Sequence, residues 1–206
     1  MKAGSRGKVK IPPVEPGVYP AVCVGVVDLG EQETQYKGKT RYADKVKLIF
    51  ELPTETVEVD GEEKPRQLSR DFTLSSSPRG ALRQFVSQWM GKGFTDDEFA
   101  EFELNGLLGR AGLLNVVHSE DGQYANIGGA TAIPKGMKPP KSATPYIAFD
   151  TEDWTEESFA ALPEYIQERL KKSTQYRSRH LPEEPVSVET AEAQAAEDIE
   201  GEEVPF

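Results

Sequence analysis

From Val14 to Leu29 the chain passes through Val18, Val22, Cys23, Val24, Val26 and Val27, with charge only at Glu15 and Asp28. β-branched residues at this density favour a strand over a helix, because their stiff side chains pack well on a pleated surface. The apolar positions fall on both parities, as in a strand buried on two faces. Gly25 sits in the middle and predicts a bulge or bend of the kind a barrel strand uses to turn a corner.

The next segments continue the β pattern. Gly30 to Thr40 is polar and reads as a loop. Arg41 to Leu52 alternates, with Val46, Leu48, Phe50 and Leu52 on one face and Lys45, Lys47 and Glu51 on the other. Pro53 ends that strand. Val57, Val59 and the Asp60-Gly61 turn predict a protruding hairpin over Glu55 to Pro65. A third strand is expected from about Gln67 to Leu74, with Leu68, Phe72 and Leu74 inward. Ser77 as N-cap and Pro78 at the first position predict a helix carrying Leu82, Phe85, Val86, Trp89 and Met90, stopped by Gly91 to Gly93. Thr95 to Glu98 is a capping box that opens a short second helix with Phe99 and Phe102. Two further strands, Ala111 to His118 and Tyr124 to Ile133, are joined at the Glu120-Asp121-Gly122 turn.

This order of three strands, a helical insertion and two strands is that of the OB-fold, a five-stranded Greek-key barrel with its helix between strands three and four. The expected fold is therefore mainly β. A basic arm spans residues 1–13 and an OB-type barrel 14–134. A Pro-rich linker and helical appendix follow over 135–181, and a disordered acidic tail over 182–206. Within the appendix, Phe159, Leu162, Ile166 and Leu170 are helically spaced, and Pro163 divides them between two short helices.

Net charge is −11, yet it is unevenly placed. Residues 182–206 hold nine acids and no Lys or Arg, which leaves −2 for the remainder. The first 50 residues hold nine basic against five acidic side chains. An acidic whole thus conceals a basic front half, and the asymmetry carries more information than the total. Cys23 is the single cysteine, so neither an intrachain disulfide nor a cysteine-based zinc site is available, and a cytoplasmic setting is expected. No apolar run reaches the roughly 18–20 residues of a membrane span.

Catalytic motifs are missing: there is no GxxxxGK[ST], HExxH or GxSxG, and the two histidines, His118 and His180, stand far apart in sequence. No enzyme activity, cofactor or metal is expected. The residues that could carry function are aromatic and basic. Single strands are held without sequence preference by rings that stack on bases and cations that follow phosphates. Tyr36, Lys37, Lys39, Arg41, Tyr42, Lys45 and Lys47 occupy the first two strands and their loop, Arg66 and Arg70 the third, and Tyr124 and Asn126 the last hairpin. Lys45 and Lys47 also fit any solvated strand face. Tyr42 shares parity with the apolar face, so core and surface are both open to it. Tyr124 is out of phase with Ala125 and Ile127 and should face outward. The tail's Glu202, Glu203, Val204, Pro205 and Phe206 suit an apolar pocket rimmed by cations on a partner protein.

The terminus resembles that of bacterial single-stranded-DNA-binding proteins, whose acidic tails end in Ile-Pro-Phe where this chain has Val204-Pro205-Phe206. The barrel resembles phage-encoded OB-fold proteins of that class. The likeness rests on residues 16–21, on 47–53, on Gly106 to Gly109 leading into Asn115 to His118, and on Tyr124 to Ile127. The resemblance implies coating of single-stranded DNA in phage replication or recombination, within the host cytoplasm, with the tail recruiting replication or recombination proteins. A different expectation is a protein-interaction module or inhibitor whose acidic tail mimics nucleic acid.

Overall fold

The computed structural model describes residues 11–36, 38–59 and 61–180, apart from the side chain of Tyr36. Lys37, most of the basic arm and the acidic tail, including Glu202 to Phe206, lie outside the described residues.

The first strand, β1 (Gly17–Tyr36), is the centre of the architecture. It pairs antiparallel with β2 (Lys39–Val59) from Val22 onward, and with β4 (Ala111–His118) over Gly17 to Val22. β3 (Glu62–Thr73) pairs with β2, and β5 (Ala125–Thr131) with β4, giving the antiparallel order β3-β2-β1-β4-β5. A sixth short strand, β6 (Ile147–Phe149), runs parallel to β1 at Gly25 to Val27. Among the described residues no ladder joins β3 to β5. The two strands nevertheless approach each other, because the Arg70 guanidinium on β3 donates to the Ile127 carbonyl on β5 at 3.0 Å. The expected sequence of strands and helices is present, with α1 (Ala81–Met90) and α2 (Asp96–Ala100) between β3 and β4.

Several local expectations need correction. The polar stretch 30–40 is not a loop. β1 and β2 stay paired out to Tyr36 and Lys39, so that only the tip turns. Pro53 does not end β2; a register shift between Leu52 and Thr56 absorbs it and the strand continues into the protruding hairpin. Ser77 is not the helix N-cap. Its hydroxyl accepts from Arg79 N within a turn, and Gly80 occupies the cap position. The Thr95 and Glu98 capping box forms as read, and Gly91 ends α1 in the left-handed region, φ 65°.

Two apolar cores lie on opposite faces of β1. On one face Cys23, Val26, Leu48, Phe50 and Leu114 pack under α1, where Trp89 meets Phe50 edge-on at 5.2 Å and donates its indole N–H to the Ala111 carbonyl. On the other, Val24, Val27, Leu29 and Ile49 are covered by Phe149 and by three short helices, α3 (Glu156–Ala160), α4 (Glu164–Leu170) and α5 (Thr174–His180). Phe159, Leu162, Ile166 and Leu170 supply that cover, divided at Pro163 as the periodicity indicated. Glu51 is fully buried, not solvated: its carboxylate accepts from Ala143 N at 2.8 Å, from Thr144 N at 2.9 Å and from the Thr144 hydroxyl. It thereby fixes the segment leading to β6 across the sheet. No described helix is long and apolar enough to cross a membrane.

Candidate nucleic-acid interface

A groove of about 690 Å³ opens where three pieces of chain converge. One wall is the β2–β3 hairpin, with Val57, Val59, Lys64 and Arg66. A second is the β4–β5 turn, with Gln123 and Tyr124. The third is the segment before β1, with Ile11, Pro13 and Val14. The size lies within the range of ligand clefts.

Each wall is held in place by identifiable bonds. In the β4–β5 turn, the Asp121 carboxylate accepts from the Ser119 hydroxyl at 2.6 Å and from Gln123 N at 3.1 Å. These bonds keep its carboxyl below the ordinary range, the Ser119 hydroxyl contributing most. Ser119 in turn accepts from Tyr124 N at 3.0 Å, so the backbone that carries Tyr124 is tied down while the residue is 67% exposed. The segment before β1 is pinned at three carbonyls. Arg66 donates to Pro12 at 2.7 Å, and Tyr19 donates its hydroxyl to Glu15 at 2.9 Å. His118 Nε2 lies 2.9 Å from the Val14 carbonyl. A carbonyl only accepts, so that His118 nitrogen carries the proton.

The lining is mostly apolar, holds the cations Lys64 and Arg66, and contains no carboxylate among the described residues. The hairpin's Glu58 and Glu63 face one another in the ladder, on the side away from the Val57 and Lys64 pair. Lys64 also makes an exposed ion pair with Glu62 at 3.1 Å. Aromatic ring, apolar wall and cations at one cleft are the components of sequence-tolerant binding to single strands.

The other residues selected from the sequence do not join this site. Lys39, Arg41 and Tyr42 lie at the far end of the β1–β2 hairpin, where Tyr42 stands opposite Glu33 and is 57% exposed. Tyr42 keeps the parity of the apolar face but lies beyond the end of the core. Lys45 and Lys47 project from the middle of β2, on the face away from α1. Lys45 donates to the Thr73 hydroxyl at 2.6 Å, and Lys47 is paired with Asp71 at 2.5 Å, its side chain only 12% exposed. Arg70 sits at the β3–β5 seam, its guanidinium 4.8 Å from the Phe72 ring centroid. Asn126 is exposed on β5, opposite Val117. From Tyr42 to Val57, β2 covers fifteen residue steps, on the order of 50 Å if fully extended. The groove lining takes in Val57 and Val59 at one end of β2 and none of Lys39, Arg41 and Tyr42 at the other.

Comparison with protein-family models, curated proteins and solved structures returned no match.

Ile11 and Pro13 were not legible as groove residues, since the sequence presents them as the end of a basic arm. Tyr165 on α4 was also missed. The residue is 54% exposed, and its ring centroid lies 6.0 Å from Lys47 Nζ. Burial, and then the nearby Asp71 charge, push its phenol above the usual value. The available signal was its position beside the Leu162 and Ile166 stripe rather than on it. Among the described residues no cluster of three or more His, Cys, Asp or Glu is arranged to hold a metal ion.

Proposed function

We propose that this chain is an OB-type single-stranded-DNA-binding protein serving replication or recombination, with the strand seated in the groove beside Tyr124. The observation that carries this reading is the groove itself: in a chain of net charge −11, it has an exposed tyrosine, apolar walls, two cations and, among the described residues, no lining carboxylate. Bases would stack on Tyr124 and pack against Val57 and Val59, while Lys64 and Arg66 meet phosphates.

The barrel assignment has three supports. The helices fall between β3 and β4, β1 is shared between β2 and β4, and Arg70 links the free edges of β3 and β5. Protein partners would be engaged by the acidic C-terminal stretch.

The test is an anisotropy titration with oligothymidine of about 30 nucleotides, matched duplex and matched RNA at about 50 mM salt. Single-stranded DNA should bind at least about tenfold tighter than duplex, with affinity falling linearly in log salt. Equal affinity for duplex would sink the proposal, and preference for RNA would redirect it. Tyr124→Ala should weaken binding by the worth of one stacked base, about 1–3 kcal/mol, or roughly 5- to 150-fold. Tyr124→Phe should retain most of it.

A further inference from the structure

We infer that the chain carries a second docking surface, a cleft for a segment of a partner protein that sets a large apolar side chain beside an Arg or Lys. The cleft lies between the end of β3, α2 and the residues that follow β6, and shares no lining residue with the groove beside Tyr124. It does not depend on the single-strand reading, which can fail while this one stands.

Two cavities merge here, because Leu74, Phe102 and Leu104 line both. The first, of about 260 Å³, adds Leu82 and Phe99 and has no charged group in its lining among the described residues. The second, of about 470 Å³, adds the carboxylates of Asp28, Glu103 and Asp150, and no Lys or Arg among the described residues. An apolar cavity that opens into an acidic one complements an apolar side chain next to a cation, and it repels a polyanion. The walls are set before any partner arrives. The buried Arg83 donates to the Ser76 carbonyl at 2.9 Å, to the Phe94 carbonyl at 2.5 Å and to the Asp96 carboxylate at 2.6 Å. These bonds tie the turn after β3 to the start of α2. Phe102 meets Phe94 edge-on at 5.3 Å and lies parallel to Phe99 at 6.1 Å. On the acidic side, Asp28 accepts from Gly30 N at 2.9 Å and from the backbone N and hydroxyl of Thr151, which holds the end of β6 against β1. Preformed walls lose little conformational freedom on binding, so a short segment can be held. The apolar side chain supplies most of the affinity, and the carboxylates select the charge beside it.

The experiment uses the full chain, isotopically labelled for amide NMR, and three capped six-residue peptides that alternate Leu with Arg, Ala with Arg, and Leu with Glu. The Leu-Arg peptide should bind at least about tenfold tighter than either of the others, and should shift the amides of Leu74, Phe102 and Leu104. Leu74→Ser should remove most of its advantage over the Ala-Arg peptide. Glu103→Lys, at an exposed position, should weaken it by about two- to fivefold, the worth of an exposed ion pair. Saturating oligothymidine should leave the peptide in place. Equal binding of the Leu-Arg and Ala-Arg peptides overturns the cleft, since charge alone would then account for both. Shifts confined to residues 182–206 or to the groove overturn it as well, as does competition by oligothymidine. If the Leu-Arg peptide binds as expected and oligothymidine does not bind, the cleft stands and the single-strand reading falls.

Discussion

Gly25 shows how one side chain, or its absence, sets the shape of the sheet. A Cβ built there would lie 2.9 Å from both Cβ and Cγ1 of Ile49 and 2.7 Å from its Cδ1. The register between β1 and β2 also shifts at this point. Gly25→Ala should therefore overpack the second core by about 1–3 kcal/mol, read as a Tm lowered by several degrees. No loss of Tm would mean that Ile49 has room to move. Two positions away, Cys23 is fully buried among apolar neighbours, and burial pushes its thiol up to about 12. A folded-state value above the unfolded one leaves stability unchanged below about pH 9 and erodes it as pH rises from there toward 12. The slope should approach about 1.4 kcal/mol per pH unit in that window and vanish in Cys23→Ala. A thiol reagent at about pH 8 should modify the unfolded chain but not the native one.

The C-terminal elements are as much a part of the fold as the sheet they cover. Ile166 and Leu170 on α4 are buried against the outer face of β1, and Trp154 stacks with Tyr176 of α5 at 5.8 Å. Ile166→Ala should cost about 2–5 kcal/mol in chemical denaturation, the range for a buried aliphatic truncation. A value near zero would mean that α4 is held by its ends alone. That β1 needed cover on two faces was legible, since its valines occupy both parities. What supplied the second cover was not. Glu51 alternates as a solvent-facing residue would, and only the distant Ala143 and Thr144 make it a buried acceptor. β6 is three residues long and α5 carries no apolar stripe, so neither leaves a periodic signature. The candidate site divides in the same way. Tyr124 was correctly placed outside because its parity opposes that of Ala125 and Ile127. Arg66 and Arg70 read alike in sequence, yet Arg66 lines the groove while donating to the Pro12 carbonyl, and the Arg70 guanidinium reaches the Ile127 carbonyl at the β3–β5 seam. Basic residues at suitable spacing show where charge is available, but not whether the fold has already used it.

Across the whole molecule, charge is distributed so that the net value misdescribes the groove. The nine acids of residues 182–206 account for most of the −11, and without them the chain stands at −2. A polyanion approaching the full chain meets a repulsive field that does not come from the groove. Deleting 182–206 should therefore tighten binding to oligothymidine and speed association at low salt. The gain should shrink as added salt shortens the Debye length from about 10 Å at 0.1 M to about 3 Å at 1 M. Groove stacking does not depend on salt in this way, so Tyr124→Ala should cost the same factor in the full and shortened chains. If deletion leaves affinity and association rate unchanged at low salt, the acidic stretch does not act on the groove through its field. If Tyr124→Ala loses its effect in the shortened chain, the two are coupled by contact rather than by charge. A gain that fades with salt, combined with an unchanged Tyr124 factor, is the result expected of a cationic groove carried on an acidic chain.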